Sequence, residues 1–167
     1  MTESAADSVI LAWAAPDQLE AAARFLAAAV RADDRYVSHG EVQTGLSPDG
    51  ERWAPDLEAL MVEDFKDLGP DRAVLLAHVE ERLAGVAVIL RHADDRAHYV
   101  VVEDVAVAPE ARAAGVGGRM MDAIEADARA SGADWAFLES GLDNDGAHRF
   151  FERRAYRPLS KVFAKRL

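Results

Sequence analysis

Arg112-Ala113-Ala114-Gly115-Val116-Gly117-Gly118 has the composition of an anion site. Glycines let the backbone approach a large anion closely, because no side chain stands in the way. If the stretch opens a helix, several amide N–H groups point the same way, and the helix end adds partial positive charge. That chemistry suits a diphosphate. A glycine-rich helix start that binds nothing would look the same, so the neighbouring residues have to decide. Glu103 and Asp104 interrupt the apolar run Val100-Val101-Val102 and Val105-Ala106-Val107. A carboxylate in mid-sheet is costly to bury unpaired. It is therefore either a structural acid with an arginine or a bulge to serve, or a proton acceptor. Strict alternation puts Glu103 on the face of Val101, Val105 and Val107, and Asp104 on the other.

Two other phosphate fingerprints fail. A Walker loop needs Lys and Ser or Thr after its last glycine, and Gly118 is followed by Arg119 and Met120. A dinucleotide fold needs a third glycine, which would fall at Met120, and places the motif on a first strand. His39, His78, His92 and His98 show no metal-ligand spacing, and the chain has no cysteine, so no metal site is read.

The elements that must position these residues follow from periodicity. Val9 to Trp13 reads as a strand. Pro16-Asp17 opens a helix with Leu19, Ala22, Ala23, Leu26 and Val30 on one face. Arg31 to Pro55 reads as a long broken loop, and Asp56 to Leu68 as a second helix. Ala73 to Val79 and Leu83 to Leu90 form a hairpin through Glu80-Glu81-Arg82. Tyr99 to Val107 is a strand that runs into the glycine turn. The helix after that turn buries Val116, Met120, Ile124 and Ala128 and ends near Ser131. Trp135 to Leu142 is a strand, Asp143 to Arg153 a helix, and Tyr156 to Phe163 a last strand. The strand-turn-helix-strand unit implies a parallel pair with a right-handed crossover.

At 167 residues, without a linker or repeat, a single domain over 1–167 is expected. No apolar run reaches the roughly 18–20 residues of a membrane span. Met1 to Ser8 lacks the basic and apolar regions of a secretory leader, so a cytoplasmic protein that engages no membrane is the expectation. A net charge of −11 argues against a nucleic-acid partner. It would favour a cationic acceptor, or it serves solubility alone.

The pattern R-x-x-G-x-G at Arg112 to Gly117 resembles motif A of the GNAT superfamily of acyl-CoA-dependent N-acyltransferases. The order of elements resembles it too. So does the later stretch Asn144, Ala147, Phe150, Phe151, Glu152, Ala155-Tyr156, against the family's N-x-x-A-x-x-[FL]-Y-E and Gly-Phe. The resemblance implies a mixed α/β (α+β) fold. Its central sheet would be mostly antiparallel, with a splayed parallel pair and flanking helices. It implies acetyl transfer from acetyl-CoA to a primary amine of a small molecule, such as an aminoglycoside or polyamine. The alternatives are a peptide or protein acceptor, and a non-catalytic acyl-CoA sensor.

By resemblance, Arg112, Ala113, Gly115, Val116, Gly117 and Gly118 would hold the pyrophosphate. Val105 and Val107 would offer backbone groups to the pantetheine arm, and Asn144 would assist. Glu103 would be the base, directly or through water. Phe150 would be core. Tyr36, His39 and Trp53, the last read as exposed, would meet the acceptor, and a homodimer is a candidate assembly. Two residues depart from the family pattern. Phe151 stands where the usual tyrosine acid would be, leaving water, Tyr156, Ser140 or His148 to protonate the thiolate. Ala155 replaces a glycine.

Overall fold

The computed structural model describes residues 9–167, so the expectation about Met1 to Ser8 lies outside the described residues. The described chain divides into two compact units. One holds the residues up to Ala29 together with Glu58–Leu138, and the other holds Val30–Leu57 with Glu139–Leu167.

The first unit is built on a five-stranded sheet in the order β1 (Val9–Trp13), β2 (Arg72–Val79), β3 (Arg82–Ala93), β4 (His98–Val107), β5 (Trp135–Leu138). The first four pair antiparallel, and β4 pairs parallel to β5. The mixed, mostly antiparallel sheet with one parallel pair is therefore present. Runs such as Val74-Leu75-Leu76-Ala77 and Val86-Ala87-Val88-Ile89 are buried throughout, because these strands are covered on both faces.

Helix α1 (Leu19–Arg31) follows a single 3-10 turn at Pro16–Gln18 and buries Ala22, Ala23, Leu26 and Ala27. Helix α3 (Leu57–Lys66) buries Met61 and Phe65, and Arg24 of α1 pairs with its Glu58. Helix α4 (Val116–Ala130) lies against β2, β3 and β4 through Val116, Met120, Met121 and Ile124, all fully buried. Each such side chain contributes about 1.5–3 kcal/mol. Gly85 of β3 makes the close seat. A Cβ there would come within 2.6 Å of Met120 Sδ.

The hairpin between β2 and β3 turns through Glu80 and Glu81 alone, at φ 50° and 64°. Positive φ at both central residues is the type I′ geometry that fits strand twist, and it favours Asn-Gly. A side chain in this region costs about 1–2 kcal/mol. Glu81→Gly is therefore expected to stabilise the protein by about 1 kcal/mol, which raises Tm by about 2–4 °C in a thermal melt.

In the second unit the stretch expected to be a broken loop contains a helix, α2 (His39–Thr44). Ser38 caps it. The Ser38 backbone N–H and hydroxyl both donate to Glu41 Oε2 at 2.6 Å, and left-handed Gly45 ends the helix. The other helix, α5 (Asp145–Arg153), ends in a Schellman turn. Ala155 N–H donates to Glu152 O at 3.0 Å and Tyr156 N–H to Phe151 O at 3.1 Å, with Ala155 at φ 67°. The Phe151 and Tyr156 rings, 5.8 Å apart, supply the apolar contact that accompanies this turn. Ala155 thus occupies a backbone position that favours glycine. Ala155→Gly is expected to raise Tm by about 2–4 °C, readable in the same melt.

Two expected strands change. β5 stops at Leu138 rather than Leu142, and the expected strand from Tyr156 to Phe163 is not formed. Residues 157–167 are in neither helix nor strand, with Leu159, Val162 and Phe163 at 56%, 58% and 92% exposure.

Candidate active site

The register places the open edge of β4. β5 ends at Leu138, opposite Val102, while β4 continues to Val107. Ala108 N–H donates to Ala84 O at 2.8 Å, and Val107 lies opposite Gly85. Hydrogen-bonded and non-hydrogen-bonded pairs alternate in an antiparallel ladder. Val107 and Val105 therefore fall in the non-bonded pairs. Their N–H and C=O groups turn away from β3, toward the side where β5 has ended. Arg112 uses one of these groups, its Nε donating to Val107 O at 3.1 Å.

Directly beyond, a 3-10 segment at Pro109–Ala114 carries Arg112 and Ala113 and leads to Gly115 at φ 73°. Proline opens it, and left-handed glycine both closes it and starts α4. The first helical bond of α4 runs from Arg119 N–H to Gly115 O at 3.1 Å. The amides of Val116, Gly117 and Gly118 precede it and have no partner within the helix. No acidic residue stands in that first turn. Those amides, the helix dipole and Arg112 make one positive locus on an acidic chain, suited to an anion.

Glu103 is the extra residue of a β-bulge. Val102 lies opposite Ile89 and Asp104 opposite Val88, so strict alternation does not carry across it. Its carboxylate forms a two-point ion pair with Arg72 of β2, Nε to Oε2 at 2.7 Å and Nη2 to Oε1 at 2.9 Å. That side-chain hydrogen bond, opposed by partial desolvation, raises the Arg72 pKa above its ordinary value. Periodicity could not find Arg72, which lies 31 residues away in sequence. Glu103 keeps partial exposure, and its carboxylate oxygens have lone pairs beyond those that meet Arg72.

In the second unit Asn144 caps α5, its Oδ1 accepting from Ala147 N–H at 3.2 Å. The cap leaves the side-chain NH2 group to other partners. Phe151, not Phe150, is the buried ring at this position, at 8% exposure. His148 Nε2 lies 2.9 Å from Gly141 O, which commits that nitrogen to a structural hydrogen bond. Ser140 Oγ is buried with no hydrogen-bond partner among the described residues.

Of the residues expected to meet an acceptor, Tyr36 ends a 3-10 turn at Asp34–Tyr36 and is half-buried. His39 Nδ1 lies 2.6 Å from Glu139 Oε2, a partner that periodicity did not reveal. Trp53 is corrected. It is buried at 9% exposure, and its Nε1 donates to Asp33 O at 3.3 Å, so the indole fills its own loop. The Arg35 side chain, then its backbone N–H, hold the Asp33 carboxyl down to about 2. The backbone N–H groups of Glu51 and Arg52 do the same for Asp49. Gly141 lets the loop close, since a Cβ there would overlap the Arg35 carbonyl oxygen.

No helix among the described residues is long and apolar enough to cross a membrane.

Comparison with known proteins agrees with this fold. No curated protein matches by sequence. An aminoglycoside N-acetyltransferase solved in complex with CoA matches at TM-score 0.68 and 15% identity, over 95% of this chain and 94% of that one. A ribosomal-protein-alanine N-acetyltransferase from Brucella melitensis biovar Abortus 2308 matches at TM-score 0.68 and 13% identity, over 95% and 99%. A putative acetyl transferase from Pyrococcus furiosus matches at 0.69 and 21%, over 95% and 99%. At these identities the likeness shows the fold. The model of the Acetyltransferase (GNAT) family matches residues 41–156. With more than half of its length covered by that model, the chain belongs to the GNAT family of acetyltransferases.

Proposed function

We propose that this protein transfers an acetyl group from acetyl-CoA to a primary amine of a small molecule by direct attack. One observation carries the reading. The outward backbone groups of Val105 and Val107 lead, through the Pro109–Ala114 turn, to the amides of Val116, Gly117 and Gly118, which have no partner within the helix. An extended polar arm ending in a diphosphate suits that order of groups. Arg112, Ala113, Gly115 and the three helix amides take the diphosphate, Val105 and Val107 take the pantetheine arm, and Asn144 assists through its NH2 group.

The amine must lose a proton to attack. Glu103 accepts it, directly or through one water. The amine nitrogen bonds to the thioester carbon, backbone N–H groups steady the carbonyl oxygen as charge grows there, and the carbon–sulfur bond breaks. As the amide forms, the nitrogen gives up its second proton and the departing thiolate gains one, carried between them by water, Tyr156 or Ser140. His148 Nε2 is already held by Gly141 O, and Phe151 has no proton to give. His39, paired with Glu139, and Tyr36 meet the acceptor, and Trp53 fixes their loop from inside.

The test is thiol release from acetyl-CoA across a panel of aminoglycosides, polyamines, amino acids and N-terminal peptides. The chain's lack of cysteine removes any thiol background. Release that depends on a small-molecule amine supports the reading. Release only with peptides moves the acceptor class. Tight acetyl-CoA binding with no release across the panel overturns catalysis in favour of a sensor, the second reading that Phe151 favours.

A further inference from the structure

Four of the five histidines have a hydrogen-bonded ring nitrogen among the described residues, and they divide by which nitrogen is used. His92 Nε2 lies 3.0 Å from Asp94 Oδ2, His98 Nε2 3.0 Å from Asp94 O, and His148 Nε2 2.9 Å from Gly141 O. A carboxylate or carbonyl oxygen only accepts, so each of these three rings carries a proton on Nε2. His39 is held the other way round. Its Nδ1 lies 2.6 Å from Glu139 Oε2.

Both residues belong to one unit of the fold. His39 comes from the first turn of α2, and Glu139 from the start of the loop that leads to α5. The Gly40 N–H approaches the other carboxylate oxygen of Glu139, at 3.5 Å, so both oxygens face α2. Two lone pairs cannot make a hydrogen bond without a proton between them, so His39 Nδ1 carries one. In the neutral ring Nε2 is then a bare lone pair. It has no hydrogen-bond partner among the described residues, and the side chain is 33% exposed. The carboxylate behind the ring raises the basicity of that nitrogen and leaves the pair with one negative charge. Such a nitrogen takes a donor, and a cationic donor best.

We propose that Glu139 is a positioning residue that sets the His39 tautomer, so that Nε2 accepts a hydrogen bond from an ammonium group of the acceptor. This rests on the acetyl-transfer reading above and narrows its acceptor class. The nitrogen that attacks the thioester must be neutral, and Glu103 takes its proton. An ammonium held by His39 and Glu139 keeps its proton, because a hydrogen bond to the charged form favours that form. The group at His39 is therefore a second amine, and the acceptor is a compound with two or more amines. A monoamine can occupy His39 or attack, not both.

The first readout needs no turnover. Nitrogen NMR of labelled histidine rings, at a pH where they are neutral, reads the tautomer of each, and the signals lost in His39→Phe assign His39. The proposal expects Nδ1–H at His39 and Nε2–H at His92, His98 and His148. Glu139→Ala should shift His39 toward Nε2–H, and Glu139→Gln, whose amide oxygen still accepts, should keep Nδ1–H. Putrescine should move the His39 Nε2 resonance. The second readout is kinetic. kcat/KM should favour putrescine over butylamine at least tenfold, and Glu139→Ala should remove most of that preference through KM rather than kcat. His39→Phe, which keeps the Glu139 charge, should remove it too. An Nε2–H tautomer at His39 overturns the proposal, as does a putrescine preference that survives His39→Phe. Absence of thiol release with either amine is a different failure. It removes the acetyl-transfer reading for these amines, and the Nε2 resonance then decides alone, an unmoved signal overturning the proposal.

Discussion

Gly117→Trp is expected to weaken coenzyme A binding by more than 100-fold while leaving the fold intact. Gly117 is the second residue of α4, and its amide is one of those without a partner in the helix. Side chains on a helix lean toward its N-terminus. An indole at this position therefore covers the amides of the first turn and fills the space a diphosphate needs. The substitution itself is mild for the protein. It removes a helical glycine, which favours the helix by about 0.5–1 kcal/mol, and Gly117 is half-exposed. Titration calorimetry reads the affinity, and a thermal melt confirms the fold. Affinity within threefold of the parent would show that the amides of α4 are not the diphosphate site.

Glu103→Gln is expected to lower kcat/KM by about 100-fold and to leave acetyl-CoA affinity within twofold. General base catalysis is worth about 100-fold to 10,000-fold, and glutamine cannot accept the proton. Glutamine keeps the shape and one hydrogen bond to Arg72, so the bulge should persist. The ion pair makes a second variant necessary. Arg72→Met removes the pair and keeps the carboxylate, and is expected to cost less than tenfold. If both variants lose activity equally, Glu103 acts by holding the bulge, and the base is elsewhere. The pair is partly solvent-exposed, so its contribution to stability is small, about 1 kcal/mol or less.

Local signals carried much of this structure. The buried runs of β2, β3 and β4 and the 3.6-residue spacing of α4 stand in the sequence almost at their observed bounds. So does the glycine turn, because positive φ and unpaired amides are properties of a few adjacent residues. α2 is also legible in the sequence. Ser38 followed three residues later by Glu41, then Gly45, is a capping box with a left-handed stop. The broken look of the stretch around it hid that signal.

What could not be read is non-local. The Arg72–Glu103 pair, the His39–Glu139 pair and the Trp53–Asp33 hydrogen bond join residues that only the fold brings together. The bulge at Glu103 defeats alternation, because an extra residue has no signature in hydropathy. Tyr156 to Phe163 has strand-like composition, but a strand also needs a neighbour, and propensity does not supply one. Phe151 looked like a lost acid. Its place in the Schellman turn gives its ring a packing role at the end of α5.

The open edge of β4 also has a consequence in time. Backbone amides exchange their hydrogens with solvent at rates set by how well they are bonded. Val105, Val107, Val116, Gly117 and Gly118 donate to no neighbouring strand or helical turn, so they exchange early in the free protein although they border a rigid core. A bound cofactor would slow these positions together and leave the buried centre of β3 unchanged. The site therefore carries its own reporter, a string of fast amides inside a slow sheet, which maps the cofactor's path without altering a residue.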